Sequence, residues 1–212
     1  MTELKRLSTT RLPTLWGPFQ LSLFLEPTTG KEHVLLWMGD WAASGFAPLV
    51  RLHSECLTGD VFSSLRCDCG QQLDDAMSAI AREGRGAILY LRQEGRGIGL
   101  AAKLKAYDLQ DNGLDTVEAN LALGFAADER DFSVAAQMLI ASGVSSVRLM
   151  TNNPAKIEAL EKAGIKVLER IPVEPMIQTE NSRYIRTKMQ KMRHLISAEI
   201  ANSCDTSSIG EG

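Results

Sequence analysis

No stretch of about 18 apolar residues occurs in this chain, so no transmembrane helix is expected. The opening residues, MTELKRLSTTRLPT, lack an apolar core of the signal-peptide kind. The cytoplasm is therefore the expected compartment, where thiols stay reduced. A basic surplus is also missing: the net charge is −3 and the pI about 5.7. That argues against non-specific nucleic-acid binding, although local Arg and Lys clusters can still hold a phosphorylated small molecule. Internal repeats are absent, and low complexity is confined to the tail SCDTSSIGEG. The 212 residues, 44% hydrophobic and 23% charged, suit an ordinary globular protein. A single domain over residues 1–196 is expected, with a disordered tail at 197–212.

Cysteine is scarce, but three of the four cysteines fall in one segment, RLHSECLTGDVFSSLRCDCG, residues 51–70. Cys56, Cys67 and Cys69 stand there among His53, Glu55, Asp60, Arg66 and Asp68. Three soft thiolates suit Zn²⁺ and leave a fourth tetrahedral position open, as a catalytic zinc requires. A structural zinc closed by His53 or a residue from elsewhere is the second reading, and buried cysteine without metal the third. No C-x-x-C pair helps to close a structural site, and residues i and i+2 pair badly as a disulfide. Cys204 lies in the tail and is not counted as a ligand.

The remaining chain reads as α/β: mixed sheets with an N-terminal β-rich part and βαβ units flanked by helices. Residues 11–40 hold two apolar runs joined by a hairpin signal at Thr28-Thr29-Gly30-Lys31. Trp16, Trp37 and Trp41 are expected to anchor the core there. Residues 41–48 read as an irregular connection and 49–53 as a strand. Apolar positions 73, 76, 77 and 80 predict a helix over 71–83, with its N-terminal dipole toward the cysteines. A buried strand is expected at 87–91. RQEGRGIGL, residues 92–100, then leads into a helix at 100–110. A Gly-rich turn carrying Arg92 and Arg96 suits a phosphate, with a solvated turn as the other reading. Residues 111–130 read as a loop with little regular structure. Asp128 and Arg130 read most plainly as a helix N-cap and a solvated ion pair before a helix at 132–142. Strand 146–151, helix 155–163 and strand IKVLERIP form a βαβ unit, with Thr151 and Lys156 at a strand end where an anion sits. A last amphipathic helix is expected over 183–200, packed on the core or on a second subunit.

HSECLTGD, SLRCDCG, RQEGRGIGL, DTVEAN, GFAADERDF and TNNPAKI occur here in this order. Together they resemble GTP cyclohydrolase II, from about Leu12 to His194. The resemblance implies hydrolysis of GTP to formate, pyrophosphate and 2,5-diamino-6-ribosylamino-4(3H)-pyrimidinone 5′-phosphate, at the start of riboflavin biosynthesis, with zinc and magnesium. It implies Cys56, Cys67 and Cys69 as zinc ligands. It implies GTP binding by Arg51, Leu52, His53, Ser54, Glu55, Gln72, Glu94, Gly95, Arg96, Thr116, Thr151 and Lys156. Asp128 matches a proton acceptor, Arg130 a proposed nucleophile and Tyr107 a tyrosine of the ring chemistry. A homodimer is implied as well. Two departures stand out: an irregular VEPMIQTENSRY after Pro172, and Arg193 where glycine is usual. Two other functions remain possible readings of the residues: a relative that stops at the formamidopyrimidine, and a non-catalytic guanine nucleotide-binding module.

Overall fold

The two N-terminal apolar runs become a hairpin in the computed structural model, which describes residues 4–43 and 45–197. Its strands are β2 (Gly17–Glu26) and β3 (Lys31–Met38). A strand that the sequence does not announce, β1 (Lys5–Thr14), precedes them and pairs antiparallel with β2. Most of β1 is exposed on both faces. It therefore lacks the alternation of apolar and polar residues by which a strand is recognised.

Four further strands complete one mixed sheet: β4 (Leu49–Ser54), β5 (Gly86–Leu91), β6 (Ser146–Met150) and β7 (Lys166–Ile171). The order is β1-β2-β3-β5-β4-β6-β7. The ladder is antiparallel from β1 through β3 to β5, and parallel from β5 through β4 and β6 to β7. β4 and β5 bury nearly every residue, as central strands covered on both faces must.

The described residues form two compact units. One comprises the chain up to Ser54, Asp74–Arg92 and Asp131–Ile171. It holds the sheet, most of helix α2 (Cys69–Glu83), α5 (Ser133–Ala141) and α6 (Pro154–Lys162). Phe24, Leu35, Leu52, Met138 and Leu149 are fully buried in its core. Each such side chain contributes about 1.5–3 kcal/mol on burial. Trp41 belongs to this core and Trp37 packs against it. Trp16 does not: it is half-buried in the turn between β1 and β2. The unit β6–α6–β7 is the βαβ unit expected, with Pro154 in the first turn and Asn153 accepting from the Ala155 N–H at 3.0 Å.

The other unit comprises Glu55–Leu73, Gln93–Arg130 and the described residues from Pro172 onward. It contains α1 (Leu57–Asp60), the first turn of α2, a 3-10 turn at Glu94–Gly97, α3 (Leu100–Asp111), α4 (Thr116–Ala122) and α7 (Ser182–Met192). α4 corrects the expected loop at 111–130. A capping box opens it: the Asp115 carboxylate accepts from the Val117 and Glu118 N–H groups, and Glu118 accepts from the Asp115 N–H.

α7 also differs from expectation, because it stops at Met192 instead of running to 200. Arg193 adopts a left-handed conformation, φ 57°, and ends the helix. Residues 198–212, with the expected tail and Cys204, lie outside the described residues. The basic residues of α7 pair with their own chain: Lys191 donates to Asp115 and to Glu118. A left-handed cap favours glycine, which carries no Cβ penalty. Arg193→Gly is therefore expected to stabilise the protein by about 0.5–1 kcal/mol, read as a rise of a few degrees in Tm.

Candidate metal centre and active site

Cys56, Cys67 and Cys69 converge in the second unit. Their Sγ atoms lie within 4.8 Å of one another, Cys56 and Cys67 at 3.7 Å. Cys56 precedes α1, and its N–H donates to the Asp60 carboxylate at 2.9 Å. Cys69 is the first residue of α2, so the helix dipole begins at a candidate ligand rather than a residue after it. Gly59 makes the convergence possible. A Cβ there would stand 2.9 Å from the Cys67 sulfur, 3.0 Å from the Cys69 Cβ and 3.2 Å from the Cys56 sulfur.

Of the three, Cys56 is the sulfur placed to carry negative charge most readily. Hydrogen bonds from the thiols of Cys67 and Cys69, joined by the Lys103 ammonium, hold its pKa well below the ordinary range. Donation to Cys56 pushes Cys67 up to about 11, and Cys69 rises for the same reason. Three soft sulfurs on a small arc, with a cation close by, fit a zinc ion. His53 is not part of the group; its ring stacks on Tyr90 at 5.4 Å.

Asp68, between two of the cysteines, is buried and fixed from both sides. Lys188 Nζ donates to Oδ1 at 2.6 Å and Gln72 Nε2 to Oδ2 at 2.5 Å. Burial would lower the Lys188 pKa, but Asp68 outweighs it and the ammonium is held above its usual range. Lys188 also sits over the Tyr184 ring at 4.4 Å.

Glu94 joins the Gly-rich loop to this segment. One oxygen accepts from the Leu57 N–H at 2.6 Å. The other accepts from Lys103 at 2.8 Å and from the Gly95 N–H at 2.9 Å. Tyr107, on α3, shares a hydrogen bond of 3.2 Å with the Thr58 hydroxyl. Burial pushes its phenol up, which keeps the proton on at neutral pH.

Gly95 and Arg96 both adopt left-handed backbone, φ 63° and 60°. For arginine this costs about 1–2 kcal/mol. The conformation carries a buried guanidinium whose two Nη atoms have no hydrogen-bond partner among the described residues. The guanidinium carbon lies 5.6 Å from the centre of the Tyr184 ring. A buried, strained, unsatisfied guanidinium is suited to an anion that completes it. The Arg96 carbonyl accepts from the Glu129 N–H at 3.0 Å, tying the loop to the Asp128–Arg130 segment. Arg130 donates Nε to Asp128 Oδ1 at 2.8 Å and Nη2 to Oδ2 at 2.5 Å, a bidentate pair. The pair is half-buried rather than fully solvated, and Asp128 does not cap the next helix, whose N-cap is Phe132. Burial raises the Asp128 carboxyl, but Arg130 outweighs it and the net pKa is lowered.

The sequence model of the GTP cyclohydrolase II family matches residues 5–172. The chain belongs to the GTP cyclohydrolase II family. It is 58% identical over 186 residues to GTP cyclohydrolase-2 of Pseudomonas paraeruginosa, covering 88% of this chain and 90% of that one. It is 55% identical over 195 residues to the Pseudomonas fluorescens enzyme, with 92% and 95% covered. For Escherichia coli O45:K1 the identity is again 55%, with 92% and 98% covered. Among solved structures, a two-domain 3,4-dihydroxy-2-butanone 4-phosphate synthase from A. baumannii aligns at 18% identity and TM-score 0.46. It covers 83% of this chain and 41% of that one, a likeness too slight to carry an argument.

The positions that match the GTP cyclohydrolase II motifs fall into two sets. Glu55, Gln72, Glu94, Gly95, Arg96, Tyr107, Thr116, Asp128 and Arg130 belong to the unit with the cysteines. Thr116 opens α4, one residue after its capping Asp115. Arg51, Leu52, His53, Ser54, Thr151 and Lys156 belong to the unit with the sheet: the first four run to the C-terminal end of β4, Thr151 follows its parallel neighbour β6, and Lys156 is on α6. There Arg51 Nη1 donates to the Met150 carbonyl at 3.1 Å and Lys156 Nζ to the Leu52 carbonyl at 2.7 Å. Thr151 Oγ1 accepts from the Asn153 N–H at 3.0 Å. Ligands of parallel sheets gather outside such strand ends.

Three residues of the second unit escaped sequence reasoning: Lys103, Tyr184 and Lys188. Tyr184 and Lys188 stand four apart on α7, hence on one helical face, which is the one signal that pointed to them. Lys103 gave no such signal.

Proposed function

We propose that this chain hydrolyses GTP to formate, pyrophosphate and 2,5-diamino-6-ribosylamino-4(3H)-pyrimidinone 5′-phosphate, the opening step of riboflavin biosynthesis. The observation that carries the reading is the convergence of three cysteine sulfurs beside Glu94, Lys103 and Tyr107, in a chain of this family. Cys56, Cys67 and Cys69 would hold zinc, which would supply a Lewis acid able to activate water near neutral pH. Opening the imidazole ring of guanine takes one water, added at the ring carbon to leave a formyl group on nitrogen; releasing formate takes a second water at that formyl carbon, and protons must move each time.

In this reading Tyr107 is the acid, since its buried phenol keeps its proton. Asp128 accepts protons, and its lowered pKa leaves it ionised at neutral pH. Arg96 and Arg130 neutralise the developing charge on the phosphates, with Mg²⁺ arriving on the nucleotide. Glu94, Gln72 and the strand-end residues Arg51–Ser54, Thr151 and Lys156 bind GTP. A homodimer belongs to the same proposal on the strength of the family resemblance.

The test is a GTP turnover assay on metal-quantified protein, following formate and pyrophosphate together. Both products, with formate lost in Cys56→Ser, are expected. Release of pyrophosphate with the formyl group retained favours the formamidopyrimidine-forming alternative. Stoichiometric GTP binding without either product favours the non-catalytic module.

A further inference from the structure

Burying a lysine is costly, because its ammonium loses water and its long side chain loses rotamer freedom. Lys103 is nonetheless 7% exposed, on the first turn of α3. Its three donors are all engaged: to the Cys56 sulfur at 3.1 Å, the Thr58 hydroxyl at 3.0 Å and the Glu94 carboxylate at 2.8 Å. Its Nζ also lies 5.6 Å from the centre of the Tyr107 ring. An ordinary structural ion pair with Glu94 needs one of these contacts. Packing α3 needs none, since a leucine or methionine fills such a site without desolvating a charge.

The partners are informative as a set. Cys56 is a candidate metal ligand. Thr58 bonds the hydroxyl of Tyr107. Glu94 holds the start of the Gly-rich loop and the Leu57 N–H. One ammonium therefore fixes a ligating sulfur, a candidate proton donor and a candidate substrate-binding carboxylate in one frame.

We infer that Lys103 is a positioning residue of the metal centre: its ammonium orients Cys56 and Glu94 and, by donating to the Cys56 sulfur, weakens that sulfur's electron donation to a bound metal. This rests on the reading of the three cysteines as a metal site. Hydrogen bonds to a ligating thiolate draw off electron density, which leaves the metal a stronger Lewis acid. Groups that hold ligands in this way are typically worth about 10–100-fold in activity.

The experiment uses the whole chain loaded with Co²⁺ in place of zinc and reads the thiolate-to-cobalt charge-transfer band. In Lys103→Met the band moves to lower energy, because the sulfur lone pairs are no longer stabilised. In Lys103→Arg it stays near its original position. With zinc, kcat for GTP falls about 10–100-fold in Lys103→Met and less in Lys103→Arg. A structural ion pair alone would leave the band where it was. An unshifted band in folded Lys103→Met overturns the inference. Where that variant does not fold, Lys103→Gln carries the same test, and an unshifted band there overturns it equally. Wild-type protein without any thiolate-to-cobalt band fails differently, because it removes the metal reading itself.

Discussion

Gly59→Ala is expected to yield a folded protein that retains little metal and loses turnover by at least ~10³-fold, since a metal acting as Lewis acid supplies several kcal/mol. The residue has no ligand atom, no charge and no unusual role in the sequence. Its effect comes from space alone. The added methyl would press on two sulfurs and the Cβ of the third cysteine, all within 3.2 Å. None of these atoms is the far end of a long, flexible chain. Cys56 and Cys69 are anchored by α1 and by the first turn of α2, so relief requires the sulfurs to separate. Zinc–sulfur bonds of about 2.3 Å tolerate little of that. Metal analysis after gel filtration, beside the circular dichroism spectrum, makes the check. Full zinc occupancy in a well-folded Gly59→Ala would mean that the three sulfurs are not the ligands.

Arg130→Ala is expected to lower kcat by about 10³-fold or more, the scale of a lost cation at a phosphoryl centre. Arg130→Lys should recover part of this, because charge returns while the fork does not. The reasoning turns on protonation. Burial works against the Arg130 charge, but the bidentate Asp128 carboxylate outweighs it and holds the guanidinium above even arginine's high ordinary range. A guanidinium held so firmly in its charged form has no lone pair to offer phosphorus. On the proposed function its part is then to stabilise charge. Acid-quenched turnover of GTP labelled at the α-phosphorus should therefore leave no label on the protein. Stable label on wild-type protein, absent from Arg130→Lys, would restore the nucleophile reading.

The cysteine cluster was legible because its chemistry is local: Cys-Asp-Cys at one point, a third cysteine eleven positions before. The buried strands β4 and β5 were legible for the same reason, as short apolar runs. β1 was not, because Lys5–Thr14 has no buried face and its pairing with β2 is the only thing that makes it a strand. α4 was missed although its signal was present. Asp115 and Glu118 stand at capping-box spacing, but the mixed composition of 111–130 obscured it. The end of α7 was misjudged because the usual stop, glycine, is replaced by Arg193 in the same left-handed conformation. Lys103 belongs to a different class. Its meaning lies in contacts with residues 9 to 47 positions away, and nothing in the LAAKLKAY sequence marks one lysine above the other.

The ion pair between Asp68 and Lys188 spans 120 residues, and it has a consequence for how the molecule is made. A ribosome releases all three cysteines long before it reaches α7. During that interval the metal-binding segment lacks the ammonium of Lys188 and the ring of Tyr184. The family match ends at residue 172, so a chain cut there keeps every matched residue and stays in that same unfinished state. The surroundings of the three cysteines are therefore completed only when α7, more than a hundred residues further along the chain, has been made and has docked.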